Sequence, residues 1–315
     1  MTIEKNLVSL CLGGKKKPMN ATAVKTALSY LAWPGLFAIC MAITGYGFAQ
    51  GAPVLYFNLA YVLLGVCLFA LERFMPFEPS WNNDDGQTFA NIAHTLSSKG
   101  TVQTLVIFSA AIGLASYITP ASEPGYSLWP REWPMAVQVI MGVVVAEFGL
   151  YWAHRIAHEW LPLWRFHAIH HSVTRLWIIN TGRFHFIDSL KSIVMGMSIL
   201  LALGAPMEVF VWLSAVTAFI GMMTHCNVDM RFGWLSLVFN TPGLHRWHHS
   251  RDIREGNMNY SENIMLWDQL FGTFFNPLDR RPPADIGIAD YMPPGFLAQL
   301  AWPFRWIPLQ SPQGS

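Results

Sequence analysis

The sequence predicts an all-α integral membrane protein with about four transmembrane helices, a further short helical hairpin and a polar helical cap. Three observations predict it. Of the 315 residues, 53% are hydrophobic and only 12% are charged, where a soluble domain carries roughly 25% charged residues. Four apolar stretches approach the ~20 residues that a bilayer core demands. Histidines gather outside those stretches, in more polar sequence.

A cytoplasmic N-terminal tail, residues 1–26, holds Lys5, Lys15, Lys16, Lys17 and Lys25. The first apolar stretch lies too far from Met1, and is too long, for a cleavable signal peptide. Transmembrane helices then occupy residues 27–152, with spans from Ala27 to Ala49, Val54 to Leu71, Thr101 to Thr119 and Met135 to Trp152. Between the second and third, Pro76 to Asp85 is a loop rich in Pro, Asn and Asp. Residues 153–276 form a histidine-rich region that includes a membrane hairpin at 190–224. The hairpin is inferred from the interruption at Gly204, Ala205 and Pro206, since Pro breaks a helix interior but suits a first turn. Its first arm, Leu190 to Leu203, is short for a full span and reads as re-entrant or buried against protein. A Pro-rich cytoplasmic tail, 277–315, carries Trp302, Phe304 and Trp306, which suit either a membrane interface or local packing.

Arg131 alone of the 20 Lys and Arg residues falls in a loop on the far side from all the others. Basic residues mark the cytoplasmic face. Both termini and the histidine-rich region are therefore expected there. A net charge of +1 gives no global field that would attract nucleic acid. Cys11, Cys40, Cys67 and Cys226 form neither a CxxC pair nor a disulfide framework.

Eight of the 11 histidines fall in three boxes: His154 and His158; His167, His170 and His171; His245, His248 and His249. Residues three and four apart share a helix face, so each box aims its imidazoles at a common point. Eight imidazoles exceed the needs of one ion, and imidazole suits Fe, Cu, Zn or Ni. A di-metal site follows. A single structural zinc usually takes four ligands, often including Cys, and these boxes contain no Cys. His225 ends the hairpin and is favoured as a further ligand. His185 reads equally as ligand or structural residue, and His94 reads as structural. The candidate ligand set is thus His154, His158, His167, His170, His171, His185, His225, His245, His248 and His249.

Glu147 is the candidate catalytic-site residue outside that set. A carboxylate within a membrane helix is usually functional, and Glu147, Tyr151, His154 and His158 share one face. Two turns separate it from His154, too far to share a metal. It is expected to support the site by accepting a hydrogen bond from a ligand's free ring nitrogen. Asp188, Asp229, Asp252, Glu255 and Asp268 are each open to two readings, partners of ligand imidazoles or solvated charges.

The boxes and their flanks resemble the fatty acid hydroxylase superfamily, which includes sterol desaturases and sphingolipid hydroxylases. The resemblance rests on YWAHRIAH from Tyr151 to His158, LWRFHAIHHS from Leu163 to Ser172 and TPGLHRWHHS from Thr241 to Ser250. It extends to EGNMNY from Glu255 to Tyr260 and WDQLFGT from Trp267 to Thr273. It runs from about Glu147 to Asn276; the first hundred residues match only as a hydrophobic plan. Three positions depart from the family pattern. Glu147 stands where Asp is frequent. RFHFID from Arg183 to Asp188 stands where bacterial members often read RxHPxE. On the later helix His225 stands where acyl-chain hydroxylases often carry two histidines, with Asp229 one turn on.

The resemblance implies a bacterial-like membrane oxidoreductase. It implies two Fe ions, O₂ as co-substrate, and a membrane lipid hydroxylated at an acyl chain, polar group or sterol C–H bond. A desaturase uses the same boxes and is the alternative enzyme. No flavin, haem-attachment or dinucleotide motif is present. Electrons are therefore expected from an external donor such as a ferredoxin, or a b-type cytochrome with its reductase. A cell inner membrane location follows if the source is bacterial. A membrane haem carrier would need axial histidines within paired spans, and a metal transporter would distribute polar ligands along several spans; neither pattern is present. The charge asymmetry makes a direct prediction. Reporter fusions at residue 124 and at the C-terminus should report opposite sides of the membrane; the same side for both would refute the span count.

Overall fold

The computed structural model describes residues 21–111 and 128–305. Long helices come first: α1 (Ala21–Ala49), α2 (Pro53–Phe74), α3 (Thr88–Ala111) and α4 (Met135–Glu159). Then follow α5 (Leu161–His171), α6 (Phe186–Leu203) and α7 (Met207–Thr224). Short helices complete the cap: α8 (Leu235–Val238), α9 (Pro242–His248), α10 (Ile253–Gly256), α11 (Leu266–Phe271) and α12 (Phe296–Ala301). Among the described residues no strand forms, and bridges such as Pro76 with Val228 stay isolated.

Five of these helices are long and apolar enough to cross a membrane: α1 from Thr22, α2, α4, α6 and α7. On α2, Val54, Leu55, Val62 and Val66 are each more than half exposed. An apolar stripe of that kind is expected where a helix meets lipid rather than water. The expected third span overlaps α3 up to Ala111; its remainder, 112–119, lies outside the described residues. The helix itself starts much earlier, at Thr88, and so includes His94, whose Nε2 lies 2.9 Å from Gln299 Oε1.

The hairpin's first arm is longer than the sequence suggested. α6 begins at Phe186 rather than Leu190, because His185 caps it: its Nδ1 accepts from the Ile187 backbone N–H at 3.1 Å. Its 18 residues span about 27 Å, close to the thickness of a bilayer core. At its far end Gly204 takes the left-handed conformation, φ 76°. Gly204 N donates to Leu201 O and Ala205 N to Leu200 O, both at 3.0 Å. That pairing closes the helix as a Schellman motif, and Pro206 then starts α7.

α7 lies at the centre. Val209, Leu213, Phe219, Ile220 and Met223 are buried on it, and it packs against α1, α2 and α4. The tightest seam joins α4 to α6. A Cβ on Gly149 would run into the Met195 carbonyl group and come within 2.9 Å of Gly196 Cα. Small residues of this kind let membrane helices approach backbone to backbone. The seam sets α4, which carries the first box, beside the first turn of α6, which carries Asp188. In the cap, Arg175 ties down the loop before α3. It donates to Trp81 O and Asn83 O and pairs with Asp85 at 2.9 Å.

Because the obstacle at Gly149 is backbone, Gly149→Ala should force the seam apart and destabilise the fold by about 1–3 kcal/mol. A lower thermal midpoint in detergent, with reduced metal content, is the expected result. Gly35→Ala, where a Cβ would meet nothing within 4 Å, is the control and should leave both unchanged.

Candidate metal centre

α4 stops at Glu159 because Trp160 adopts an extended backbone, φ −119° and ψ 110°. The chain then turns and restarts as α5, with Pro162 in its first turn. This return brings His167 and His171 back against His154 and His158. α9 opens on Pro242 and presents His245 and His248, with His249 at its end. His225 caps the C-terminus of α7.

Nine histidines converge in two groups, each with its ring nitrogens within 4.8 Å of one another. The first holds His154, His158, His167, His171 and His248; the second holds His170, His225, His245 and His249. In the first, His154 Nε2 lies 2.9 Å from both His167 Nε2 and His248 Nε2. His171 Nε2 lies 3.0 Å from His167 Nε2 and 3.1 Å from His158 Nε2. In the second, His249 Nε2 lies 3.1 Å from His170 Nε2 and from His245 Nε2, and His245 Nε2 lies 2.9 Å from His225 Nε2. The groups abut where His171 stacks on His249, with ring centroids 4.4 Å apart.

The outer nitrogens say what these contacts are. His154 Nδ1 lies 2.7 Å from Tyr260 O, and His248 Nδ1 lies 2.8 Å from Met258 O. A carbonyl oxygen only accepts, so each Nδ1 carries the proton and each Nε2 of a neutral ring is a bare lone pair. Two lone pairs held at 2.9 Å repel; a cation between them turns repulsion into coordination. His167 Nδ1 donates to Asp188 Oδ2 at 2.8 Å, and Lys191 closes onto the other carboxylate oxygen. His158 Nδ1 and His225 Nδ1 donate to the side-chain oxygens of Asn257 and Asn180, both at 3.1 Å. Such outer bonds fix ring orientation and tautomer in metal sites. The second group is less supported: the Nδ1 atoms of His170, His245 and His249 are buried without a partner.

Burial holds His170, His171, His245 and His249 well below the ordinary imidazole range, and neighbouring imidazoles add to it. Burial also pushes His225 and His248 down to about 3. The neutral ring is the form that ligates. The residues present thus fit a pair of metal ions.

Other sequence candidates lie elsewhere. His185 is in neither group. Its Nδ1 caps α6, its Nε2 lies 3.3 Å from Leu300 O, and its ring packs on Phe166. Glu147 touches no histidine ring. Its carboxylate accepts from Asn263 N at 3.1 Å, Asn263 Nδ2 at 2.8 Å and the Glu262 backbone N–H. It therefore anchors the loop whose Tyr260 carbonyl orients His154, one step further out than the sequence suggested. Of the five other acids, Asp188 contacts a box imidazole. Asp268 locks the same loop, accepting from Tyr260 N and Ser261 N at 2.8 Å. Asp252 caps α10, Glu255 accepts from Ser250 Oγ at 2.6 Å, and Asp229 is a solvated charge near Arg281. Sequence reasoning missed the roles of Asn180, Asn257, Lys191 and Asn259. Asn259 takes the left-handed region, φ 57°, and donates to Leu244 O and Phe275 O. The sole signal was the EGNMNY string, which marked the loop without showing what it does.

A cavity of about 650 Å³ reaches the histidines. His154, His167, His170, His225 and His245 form its floor, and Phe57, Tyr61, Ile193 and Ala218 line it from α2, α6 and α7. A smaller cleft of about 90 Å³, lined by His158, His171, His248, Trp164 and Asn257, lies on the cap side.

The fatty acid hydroxylase profile matches residues 139–273. Ornithine lipid hydroxylase OlsE of Rhizobium tropici is 53% identical, over 90% of this chain and 86% of that protein. The chain belongs to the fatty acid hydroxylase family. As a fatty acid hydroxylase family member it is an oxidoreductase with a histidine-rich metal site. Alkylglycerol monooxygenase of Homo sapiens is 31% identical over 58% of this chain, which spans 40% of that longer protein. The fatty acid hydroxylase vlmA of a Lecanicillium species is 26% identical over 79% of this chain and 70% of that one. No solved structure matches.

Glu147→Gln retains size but offers an amide to backbone donors that need a carboxylate. The loop at Tyr260 should loosen, and metal affinity should fall by roughly 10- to 100-fold, the range for residues that orient ligands. Metal content after a chelator challenge measures this, with membrane insertion unchanged. Wild-type retention of metal in Glu147→Gln would refute the role.

Proposed function

We propose that the protein is an O₂-dependent hydroxylase of a membrane amino lipid, acting at a di-iron centre. The ligands we assign are His154, His158, His167, His171 and His248 for one ion, and His170, His225, His245 and His249 for the other. His185 is left out because both its ring nitrogens face backbone atoms. The observation that carries the reading is the opposition of bare Nε2 lone pairs, set on the floor of a cavity that runs among membrane-crossing helices. Iron rather than zinc is proposed because C–H oxidation needs a redox metal, and a bound iron pair would supply O₂ activation. Overall, one oxygen atom enters a C–H bond and the other leaves as water, with two electrons from a separate donor such as a ferredoxin or b-type cytochrome and two protons from solvent.

The chain's own residues hold and orient. Asp188, Tyr260 O, Met258 O, Asn257 and Asn180 fix the rings. The apolar cavity wall excludes water from the reacting carbon, and a lipid enters between α2, α6 and α7. Hydroxylation is favoured over desaturation because the similar proteins named above are hydroxylases or monooxygenases. An amino lipid is favoured because the relative similar along nearly the whole chain is an ornithine lipid hydroxylase. The Lys/Arg asymmetry supports an inner-membrane protein with its cap in the cytoplasm.

Purified active protein should contain close to two irons per chain. Lipid extracts of cells expressing it should gain an amino lipid heavier by one oxygen atom. Zinc in a preparation would not refute this, since imidazole sites accept zinc. Full activity of an iron-free, zinc-loaded preparation would.

A further inference from the structure

Several polar residues that line the cavity beside the histidines hold a buried side-chain atom that the fold leaves without a partner. Asn240 Oδ1 and Ser261 Oγ belong to residues only 1% exposed, and neither makes a hydrogen bond. Thr181 Oγ1 and Thr217 Oγ1 are likewise buried and unpartnered, and their residues line the same cavity. A buried polar group without a partner is expensive and calls for an explanation. A polar ligand that reaches this end of the cavity is one.

Glu262 sharpens the ligand's chemistry. It lines the same wall. Its backbone N–H is engaged by Glu147, but among the described residues no donor reaches its carboxylate and no cation pairs with it. Lys191 is the cation whose charge is felt there, yet Lys191 is held by Asp188, which in turn holds His167. Asp188, Lys191 and His167 thus satisfy one another on the same wall, and Glu262 is the carboxylate of this cavity left without a hydrogen-bonded or paired partner among the described residues, with the apolar Phe57, Ile193 and Ala218 also on the wall. Burial, with the nearby Asp188 carboxylate, pushes its carboxyl up to about 7 against the opposing charge of Lys191.

We propose that Glu262 receives the cationic amino group of the lipid head, with Ser261, Asn240 and Thr181 hydrogen-bonding to its other polar atoms. This rests on the amino-lipid reading above and names the residue that enforces it. An ammonium brings three donors to a carboxylate that has none, and charge-assisted bonds are the strong ones in a dry site. A neutral lipid of the same shape would leave the carboxylate bare, so Glu262 selects by rejection as well as attraction. Because Glu147 holds the backbone of residue 262 rather than its side chain, Glu262→Gln leaves that anchor intact.

The test compares equilibrium binding of two lipids to purified, iron-loaded protein: ornithine lipid, and the same lipid acetylated on its free amine. Wild type should bind the free amine roughly 10- to 100-fold more tightly, the range for hydrogen bonds to charged groups. Glu262→Gln should bring the ratio to about 1, at wild-type iron content, and Glu262→Asp should retain a preference. Equal binding of the two lipids by wild type overturns the proposal, and needs no variant to fold. So does a preference that survives in Glu262→Gln. Hydroxylation of ornithine lipid in cells is scored separately. If it occurs without the charge preference, only the role of Glu262 falls. If the Glu262-dependent preference is present without hydroxylation, only the amino-lipid hydroxylase reading falls.

Discussion

The opposition of unprotonated imidazole nitrogens is the constraint around which this chain is built. Holding His154 Nε2 and His248 Nε2 at 2.9 Å, with both outer nitrogens donating to carbonyls, is unfavourable for the protein by itself. Much of the surrounding architecture works to maintain it. Asp268, Glu147 and Asn259 each pin the loop from Met258 to Asn263, and that loop supplies the two carbonyls. The glycine seam between α4 and α6 sets Asp188 within reach of His167. Remote hydrogen bonds and close helix packing thus serve the same end, the direction in which nine rings point.

What could be read in the sequence followed helical periodicity. The three boxes declare their shared faces through spacing alone, and His225 was suggested by its place at the end of an apolar helix. The apolar runs located α2 and α7 within three residues, whereas α1 starts six residues earlier and α4 ends seven residues later than they suggest. What could not be read depends on contacts between distant segments. Asn180 meets His225 and Asn257 meets His158 only after the chain has folded, and neither residue type advertises such a role. Glu147 stands out in the sequence as a carboxylate in a membrane helix, but its partners lie 115 and 116 residues away. His185 was ambiguous because a histidine before a helix has the same local signature whether it ligates or caps. The first arm of the hairpin looks short in the sequence because the cap that extends it is a histidine rather than one of the usual capping residues.

The two groups differ in support. Each ring of the first group whose outer nitrogen has an assigned bond is held by a carbonyl, an amide or a carboxylate, whereas three of the four rings of the second have bare outer nitrogens. Packing replaces hydrogen bonding there: His170 stacks on Phe184 at 4.1 Å, within 10° of parallel. The larger cavity borders both groups, while the small cap-side cleft borders the first alone.

The membership of the groups also cuts across the order of the boxes. His248, from the last box, belongs with the first box and most of the second; His170, from the second box, belongs with the last. The crossing has a consequence for biogenesis. A nascent chain that has emerged only as far as His171 possesses four rings of one group and a single ring of the other, so neither group is whole. Completion of both waits on the same short helix, Pro242–His248, and the residue after it. On the proposed ligand set, neither ion has all of its rings until that helix has been made. A single break in that helix would disarm both groups together.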